Sequence, residues 1–201
     1  MIKVVKQAKG LDVLKILKET DSIMEGHFKL TSGYHSKYYL QCAKLLQHPK
    51  LTLKIASHAA HIIKKEIGAE KVQAVVSPAI GGILFGYMLA YELNARMVFT
   101  ERVKNIMELR RGFVINPGEK IIIAEDVITT GGSVKEVIGI CKESKADIQA
   151  ISSIVDRSDN IRFEFPYCHL IKLDIKKYLP QNCPMCRDNL QFVYPGSKKQ
   201  E

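Results

Sequence analysis

The signatures of the common nucleotide-binding and hydrolytic machineries are missing from this 201-residue chain. It has no glycine-rich segment ending in Gly-Lys-Ser/Thr, no G-x-G-x-x-G, no H-E-x-x-H, no G-x-S-x-G and no set of protein-kinase motifs. Cysteine is scarce and odd in number, five residues, and Cys42, Cys141 and Cys168 have apolar or mixed neighbours. That spacing excludes a disulfide framework and predicts a reducing, cytoplasmic setting. A long uncharged run occurs between Val72 and Tyr91, but Ser77-Pro78 and Gly81-Gly82 interrupt it, so strand, turn and helix are expected there in place of a membrane span. The basic start, Met1 to Lys9, leads into an amphipathic segment with no small-residue cleavage site, which predicts a protein that is not secreted. Internal repeats and low-complexity linkers are absent as well.

What is present is the composition of one globular domain: 46% hydrophobic and 25% charged residues exclude disordered, collagenous and fibrous classes. Thirty Lys and Arg against twenty-one Asp and Glu give a formal charge of +9, which favours an anionic partner: nucleic acid, a membrane surface or a polyphosphate metabolite.

Apolar positions in Leu11 to Ile23 recur at helical period. Gly26 to Gly33 and Tyr38-Tyr39-Leu40 read as two short strands about a Ser-Gly turn, a cap or hood on the rest of the chain. Pro49 opens a helix expected over Leu51 to Ile67, with Gly68 closing it. Strands are then expected at 72–77, 96–100, 120–125 and 148–156, with a further strand at 169–173, and helices at 82–93 and 133–141. This alternation predicts an α/β fold, a central parallel sheet flanked by helices. The stretch Glu101 to Gly112 reads as a charged loop and the tail from Pro180 to Glu201 as mostly irregular.

The segment Lys120 to Ser133 is the most informative. A buried strand ends in Glu125 and Asp126, and Val127, Ile128, Thr129, Thr130, Gly131, Gly132 and Ser133 then turn into a helix. Ligands bind outside the carboxyl ends of parallel strands, which brings both acids to that edge. Glycines let backbone N–H groups approach a phosphate, the hydroxyls add donors, and the helix presents its positive end, making a cradle for a phosphate monoester. The acids would repel that phosphate, so their partners are sugar hydroxyls or a hydrated Mg²⁺.

Residues 122–133 resemble the phosphoribosyl pyrophosphate signature of the type I phosphoribosyltransferases. Together with Gly26-His27-Phe28-Lys29-Leu30-Thr31-Ser32-Gly33-Tyr34-His35-Ser36, Ser77 to Gly82, Leu109 to Phe113 and Asp156-Arg157, the chain from about Ile23 to Ser197 resembles the orotate phosphoribosyltransferases specifically. The resemblance implies a single domain over residues 1–201, with a hood mainly from residues 1–45 and parts of the tail. It implies that Glu125 and Asp126 hold ribose hydroxyls and a hydrated metal, that Thr129 to Ser133 grip the 5-phosphate, and that Ser77 to Gly82, with Ile80 and Gly81, form the pyrophosphate loop. Arg157 would pair with the orotate carboxylate, a match for a planar fork of donors, although any one arginine is more often simply solvated. Thr129 would touch the pyrimidine, and Tyr39 and Leu40 would line the base pocket, where plain core packing is the alternative.

Glu101 to Arg111 would be a mobile catalytic loop shared across a homodimer, with Lys104 neutralising the departing pyrophosphate and Arg102 and Arg110 in support. Here Thr100-Glu101 stands where the commonest pattern has an Arg-Lys pair, no His follows Lys104, and Gly81 and Thr31 replace lysines found in other members. The implied reaction is Mg²⁺-dependent transfer of ribose 5-phosphate from phosphoribosyl pyrophosphate to orotate, in pyrimidine synthesis. The competing readings are a phosphoribosyltransferase for a neutral base and a regulator that binds phosphoribosyl pyrophosphate or nucleic acid without turnover. Finally, Cys183-Pro184-Met185-Cys186, with Cys168-His169 upstream, permits a four-ligand zinc site to be imagined. The upstream pair lacks ligand spacing, and a tail turn with packed or reduced thiols is the plainer expectation. His58 and His61 read as surface or interface residues.

Overall fold

A strand buried on both faces needs apolar side chains at every position, and Ile121, Ile122, Ile123 and Ala124 are all fully buried. Their alternation divides them between two cores: Ile122 and Ala124 pack with one set of helices, Ile121 and Ile123 with another. The computed structural model, which describes residues 2–69 and 71–194, builds a layered α/β structure about this strand. Residues 195–201, the end of the tail expected to be irregular, lie outside the described residues.

In chain order the strands are β1 (Lys3–Gln7), β2 (Ile23–Lys29), β3 (His35–Leu40), β4 (Ala74–Pro78), β5 (Arg96–Val103), β6 (Ile106–Leu109), β7 (Lys120–Ile128), β8 (Asp147–Asp156), β9 (Tyr167–Asp174) and β10 (Lys177–Tyr178). The α-helices are α1 (Val13–Glu19), α2 (Ala43–Leu46), α3 (Pro49–Ile62), α4 (Gly81–Leu93), α5 (Gly132–Glu143) and α6 (Pro184–Arg187). Seven strands form the main sheet in the order β1-β9-β8-β7-β4-β5-β6, parallel from β9 through β5, with β1 and β6 antiparallel at the two edges. Helices α1, α3 and α4 cover one face through Leu17, Ile55, Phe85 and Leu89; α5 covers the other through Val134, Val137, Ile138 and Cys141. A three-stranded antiparallel sheet, β10-β3-β2, is the hood.

Several elements differ from the sequence expectation: β7 runs on to Ile128, past the turn expected after Asp126, and β1, β10, α2 and α6 have no counterpart in it. Helix α1 stops at Glu19, short of Ile23, because the Thr20 hydroxyl donates back to the Ile16 carbonyl at 2.8 Å and Asp21 turns left-handed at φ 50°. The helix expected to Ile67 is α-helical to Ile62 and finishes in a π-turn over Ile63–Ile67, closed by Gly68 at φ 75°. The charged stretch after Thr100 is a β-hairpin: Arg102 pairs with Met107 and Val103 with Ile106 around a Lys104-Asn105 turn with φ of 48° and 69°. The extension from Thr100 to Val103 also lengthens β5 beyond its expected end.

Strands β4 and β7 lie side by side, yet α4 leaves β4 toward one face of the sheet and α5 leaves β7 toward the other. A crevice opens outside their carboxyl ends, at the point where the strand order reverses.

Candidate active site

Two loops meet at this crevice, Ser77 to Gly82 after β4 and Thr129 to Ser133 after β7. The contact between them is close: a Cβ on Gly81 would lie 2.6 Å from Asp126 Oδ1, and one on Gly82 would lie 3.1 Å from Glu125 Oε1. Glycine at the start of α4 is thus what lets the acid pair of β7 reach over that helix turn. Ser77 is fully buried and Ile80 is 86% exposed. The Ala79 N–H donates to the Thr100 carbonyl at 2.7 Å, tying the loop to β5.

Glu125 and Asp126 are half-buried neighbours whose carboxylates accept backbone N–H groups, Glu125 from Asp126 at 3.1 Å and Asp126 from Val127 at 2.9 Å. Among the described residues neither carboxylate has a basic partner at ion-pair distance. Burial, and next the adjacent Asp126 charge, push the Glu125 carboxyl well above the ordinary carboxylate range. Two hard-oxygen acids pressed together without a cation are a donor set that fits Mg²⁺ and sugar hydroxyls.

Beside them, Glu125 and residues 127–134 line a small cavity of about 60 Å³. Thr129 and Thr130 are exposed at its rim, and Val127 and Ile128 form its floor as the last residues of β7, Ile128 being fully buried. Gly131 takes φ 73° and sits where a Cβ would meet Ile161 Cδ1 at 2.1 Å. Helix α5 starts at once at Gly132, with no side chain capping its first turn, so the N–H groups there are open to an anion. A hollow of about 470 Å³, around Gly10, Leu11, His58 and His61, contains none of these strand-end residues, whereas one of about 570 Å³ is lined by Arg157, His169 and Lys172.

Arg157 follows β8, and its backbone N–H donates to the Ile128 carbonyl at 2.8 Å, which holds it next to the end of β7. Its Nε is buried without a hydrogen-bond partner, and burial lowers the guanidinium pKa. No carboxylate pairs with it among the described residues, because the neighbouring Asp156 is engaged elsewhere. Asp156 accepts from the Ser158 N–H at 2.7 Å and the Ser158 hydroxyl at 2.6 Å, and lies 3.3 Å from Lys172 Nζ. Tyr39 and Cys42 both act electrostatically on Arg157, and Cys42 is also within reach of the Asp126 and Glu125 charges. The charges of Asp126, Arg157 and Glu125 thus all reach a buried thiol, Cys42, that the sequence offered only as one of five cysteines. Nothing in its immediate sequence signals that place, since three distant segments create it. Leu40 is buried in the main core beneath this region.

The hairpin cations are disposed differently. Arg102 forms an ion pair with Glu136 of α5 and donates to the Asn105 carbonyl at 3.0 Å. Arg110 lies 3.9 Å from Glu101, which is bound more tightly by Arg111 at 2.9 Å. Lys104, exposed at the turn beyond the carboxyl end of β4, has no ion-pair partner among the described residues and does not reach the acid pair.

A parallel sheet with an acid pair, a Thr-Gly turn at a helix start and a glycine loop at its reversal point is the arrangement of a phosphoribosyl-binding protein. Residues 41–174 match the family model described as the phosphoribosyl transferase domain, and the chain belongs to that family. Within it, the chain groups with the orotate phosphoribosyltransferases. It is 46% identical over 187 residues to the orotate phosphoribosyltransferase of Caldicellulosiruptor saccharolyticus, covering 92% of this chain and 96% of the relative. It is 44% identical to that of Thermotoga maritima, covering 92% and 98%. The crystal structure of orotate phosphoribosyltransferase from Aeropyrum pernix shares the fold, with a TM-score of 0.66 at 21% identity over 79% of this chain and 94% of that one.

Proposed function

We propose that the chain transfers ribose 5-phosphate from phosphoribosyl pyrophosphate to a ring nitrogen of orotate, giving orotidine 5'-monophosphate and pyrophosphate, a step of pyrimidine biosynthesis. The bond from the sugar carbon to the pyrophosphate oxygen breaks and a bond to nitrogen forms. The observation that carries the choice of base is Arg157: a guanidinium with a buried, unpaired Nε, on a residue whose backbone N–H is tied to the carboxyl end of β7, suits a substrate that brings its own carboxylate. A neutral base would leave this cation unpaired in a site where burial already penalises its charge.

Glu125 and Asp126 hold the ribose hydroxyls, and the pair accommodates Mg²⁺ together with substrate oxygens and water. The bound cation would supply charge neutralisation for the pyrophosphate. Residues 127–133 bind the 5-phosphate through the open N–H groups of α5 and the hydroxyls of Thr129, Thr130 and Ser133. Ile80 and Gly81 carry the pyrophosphate on main-chain donors. Thr129 and Tyr39 orient the orotate ring, while Leu40 supports Tyr39 from the core. Lys104 meets the departing pyrophosphate, with Arg102 and Arg110 in support. For that the hairpin must move, and the exposed ion pairs that hold it are weak ones. No side-chain nucleophile takes part; the protein positions two anionic substrates, stabilises charge and excludes water.

The reading extends to one catalytic domain capped by the hood and to a cytoplasmic homodimer. No helix among the described residues is long and apolar enough to cross a membrane. Support for a dimer comes from α4, where Leu84, Tyr87 and Tyr91 form a stripe at helical spacing that is 51%, 62% and 71% exposed.

The test is loss of orotate ultraviolet absorbance on mixing the protein with orotate, phosphoribosyl pyrophosphate and Mg²⁺, beside uracil and hypoxanthine. Turnover confined to orotate is expected. Arg157→Ala should lower kcat/KM for orotate by about 10- to 150-fold, the equivalent of about 1.5–3 kcal/mol for hydrogen bonds to a charged group. Tight phosphoribosyl pyrophosphate binding with no turnover of any base would instead identify a regulator.

A further inference from the structure

The two cysteines of Cys183-Pro184-Met185-Cys186 do not meet Cys168 and His169, their companions in the sequence reading, which lie on β9. They face the hood, where His27 of β2 and His35 of β3 stand. One ligand atom from each of His27, His35, Cys183 and Cys186 lies within 4.8 Å of all the others. His27 Nε2 is 3.0 Å from His35 Nδ1 and 3.6 Å from both sulfurs, and Cys186 Sγ is 3.2 Å from His35 Nδ1. A tetrahedral zinc ion with its usual bond lengths has edges of about 3.3 Å between two nitrogens and about 3.6 Å between nitrogen and sulfur. The four donors are already close to the corners of that tetrahedron.

We propose that His27, His35, Cys183 and Cys186 form a structural zinc site that fastens the C-terminal segment to the hood. The surroundings are those of a metal site. The Leu190 carbonyl, which can only accept, lies 2.8 Å from His27 Nδ1; this puts the proton on Nδ1 and presents the Nε2 lone pair to the cluster. His27, Cys183 and His35 are 2%, 3% and 5% exposed, and the Phe192 ring covers both imidazoles, with centroids 4.1 and 5.0 Å away. Two thiols lose their protons to solvent on binding, so two thiolates and Zn²⁺ make a neutral unit suited to a buried place.

The donor set selects the ion. Soft thiolates disfavour Mg²⁺ and Ca²⁺, and a two-iron cluster would separate the sulfur pair from the nitrogen pair, which here interleave. With four protein ligands no position is left for a reacting water, so the role is structural. The seam needs such a fastening, because a three-residue turn over Pro180–Asn182 buries nothing, and α6, four residues long, buries only Met185. Besides the Leu190 and Phe192 contacts with the imidazoles, the tail holds the hood through the two-residue pairing of β10 with β3 and a Val193 N–H to His27 carbonyl bond of 2.8 Å. The assignment is independent of the catalytic reading, and its test reads metal, not turnover.

The full chain, expressed with zinc in the medium and desalted without chelator, should contain about one zinc per chain by plasma mass spectrometry. Cys186→Ser, at the most exposed ligand, and His35→Ala should each lower bound zinc at least tenfold, while Cys168→Ala keeps it. Refilling the chelated wild type with Co²⁺ should give the intense visible bands of a tetrahedral ion and thiolate-to-cobalt charge transfer, a readout that needs no variant to fold. Folded, reduced wild type that neither retains zinc nor takes up Co²⁺ would overturn the proposal. So would zinc content unchanged in Cys186→Ser, or a Cys183–Cys186 disulfide in protein kept under reductant throughout.

Discussion

Glu125 is built for a partner more than for the fold. Its carboxyl ordinarily titrates near 4.5, and burial beside Asp126 raises it in the folded chain. A carboxyl raised in this way stabilises the fold below its unfolded pKa, and that contribution is lost as pH rises toward and through the folded value. The ligand-free protein should therefore weaken from about pH 4.5 upward on account of this residue. Glu125→Gln, which keeps the shape and cannot ionise, should melt above wild type at mildly alkaline pH by at least about 1 kcal/mol, roughly one pKa unit, while losing turnover. Thermal melts across that range, without Mg²⁺, check the sign; melts of equal slope for the two proteins would show that the carboxyl is not held up. Arg157 has the complementary character, a guanidinium whose Nε is buried without a partner.

At the scale of elements, the site is a contact between the first turn of α4 and the carboxyl-terminal part of strand β7. Gly81→Ala separates the helix from the site. Alanine in place of glycine favours a helix by up to about 1 kcal/mol. The added Cβ, however, would press on Asp126 Oδ1 at 2.6 Å and threaten its bond from the Val127 N–H. Stability equal to or above wild type is expected, together with a KM for phosphoribosyl pyrophosphate raised about tenfold, or about 1.4 kcal/mol. Unchanged KM would mean that the acid rotates away without consequence. The β5–β6 hairpin is the other informative element. Its charge pattern reads as a loop, yet alternate side chains pair across it, and two left-handed residues, Lys104 and Asn105, close the turn. A run rich in charge lacks the apolar alternation that normally reveals a strand, because this edge pair is largely solvated.

Over the whole molecule, charge and apolar surface divide the work. The net charge of +9 favours anionic partners. The stripe on α4 is apolar and exposed, so a second copy is its natural cover. Wild type should sediment at twice its 22.7 kDa chain mass, and Tyr87→Glu with Tyr91→Glu should shift it to the monomer with the fold intact by circular dichroism. A dimer that survives both charges would place the interface elsewhere.

Residues that act within one continuous segment were legible without coordinates. Strand, acids, Thr-Gly turn and helix start follow one another from Lys120 to Ser133, and their chemistry depends on local backbone geometry that side-chain type alone dictates. The alternation of strands with helices and the burial of both sheet faces followed equally from apolar runs and their spacing. What only the tertiary structure decided is which distant segments meet. Sheet order sets the glycines of α4 against Glu125 and Asp126. Folding of the tail onto the hood brings Cys183 to His27 across 156 positions, past the nearer Cys168 and His169. Such meetings are fixed by the summed burial of many side chains and by strand register, neither of which is written at the positions that meet.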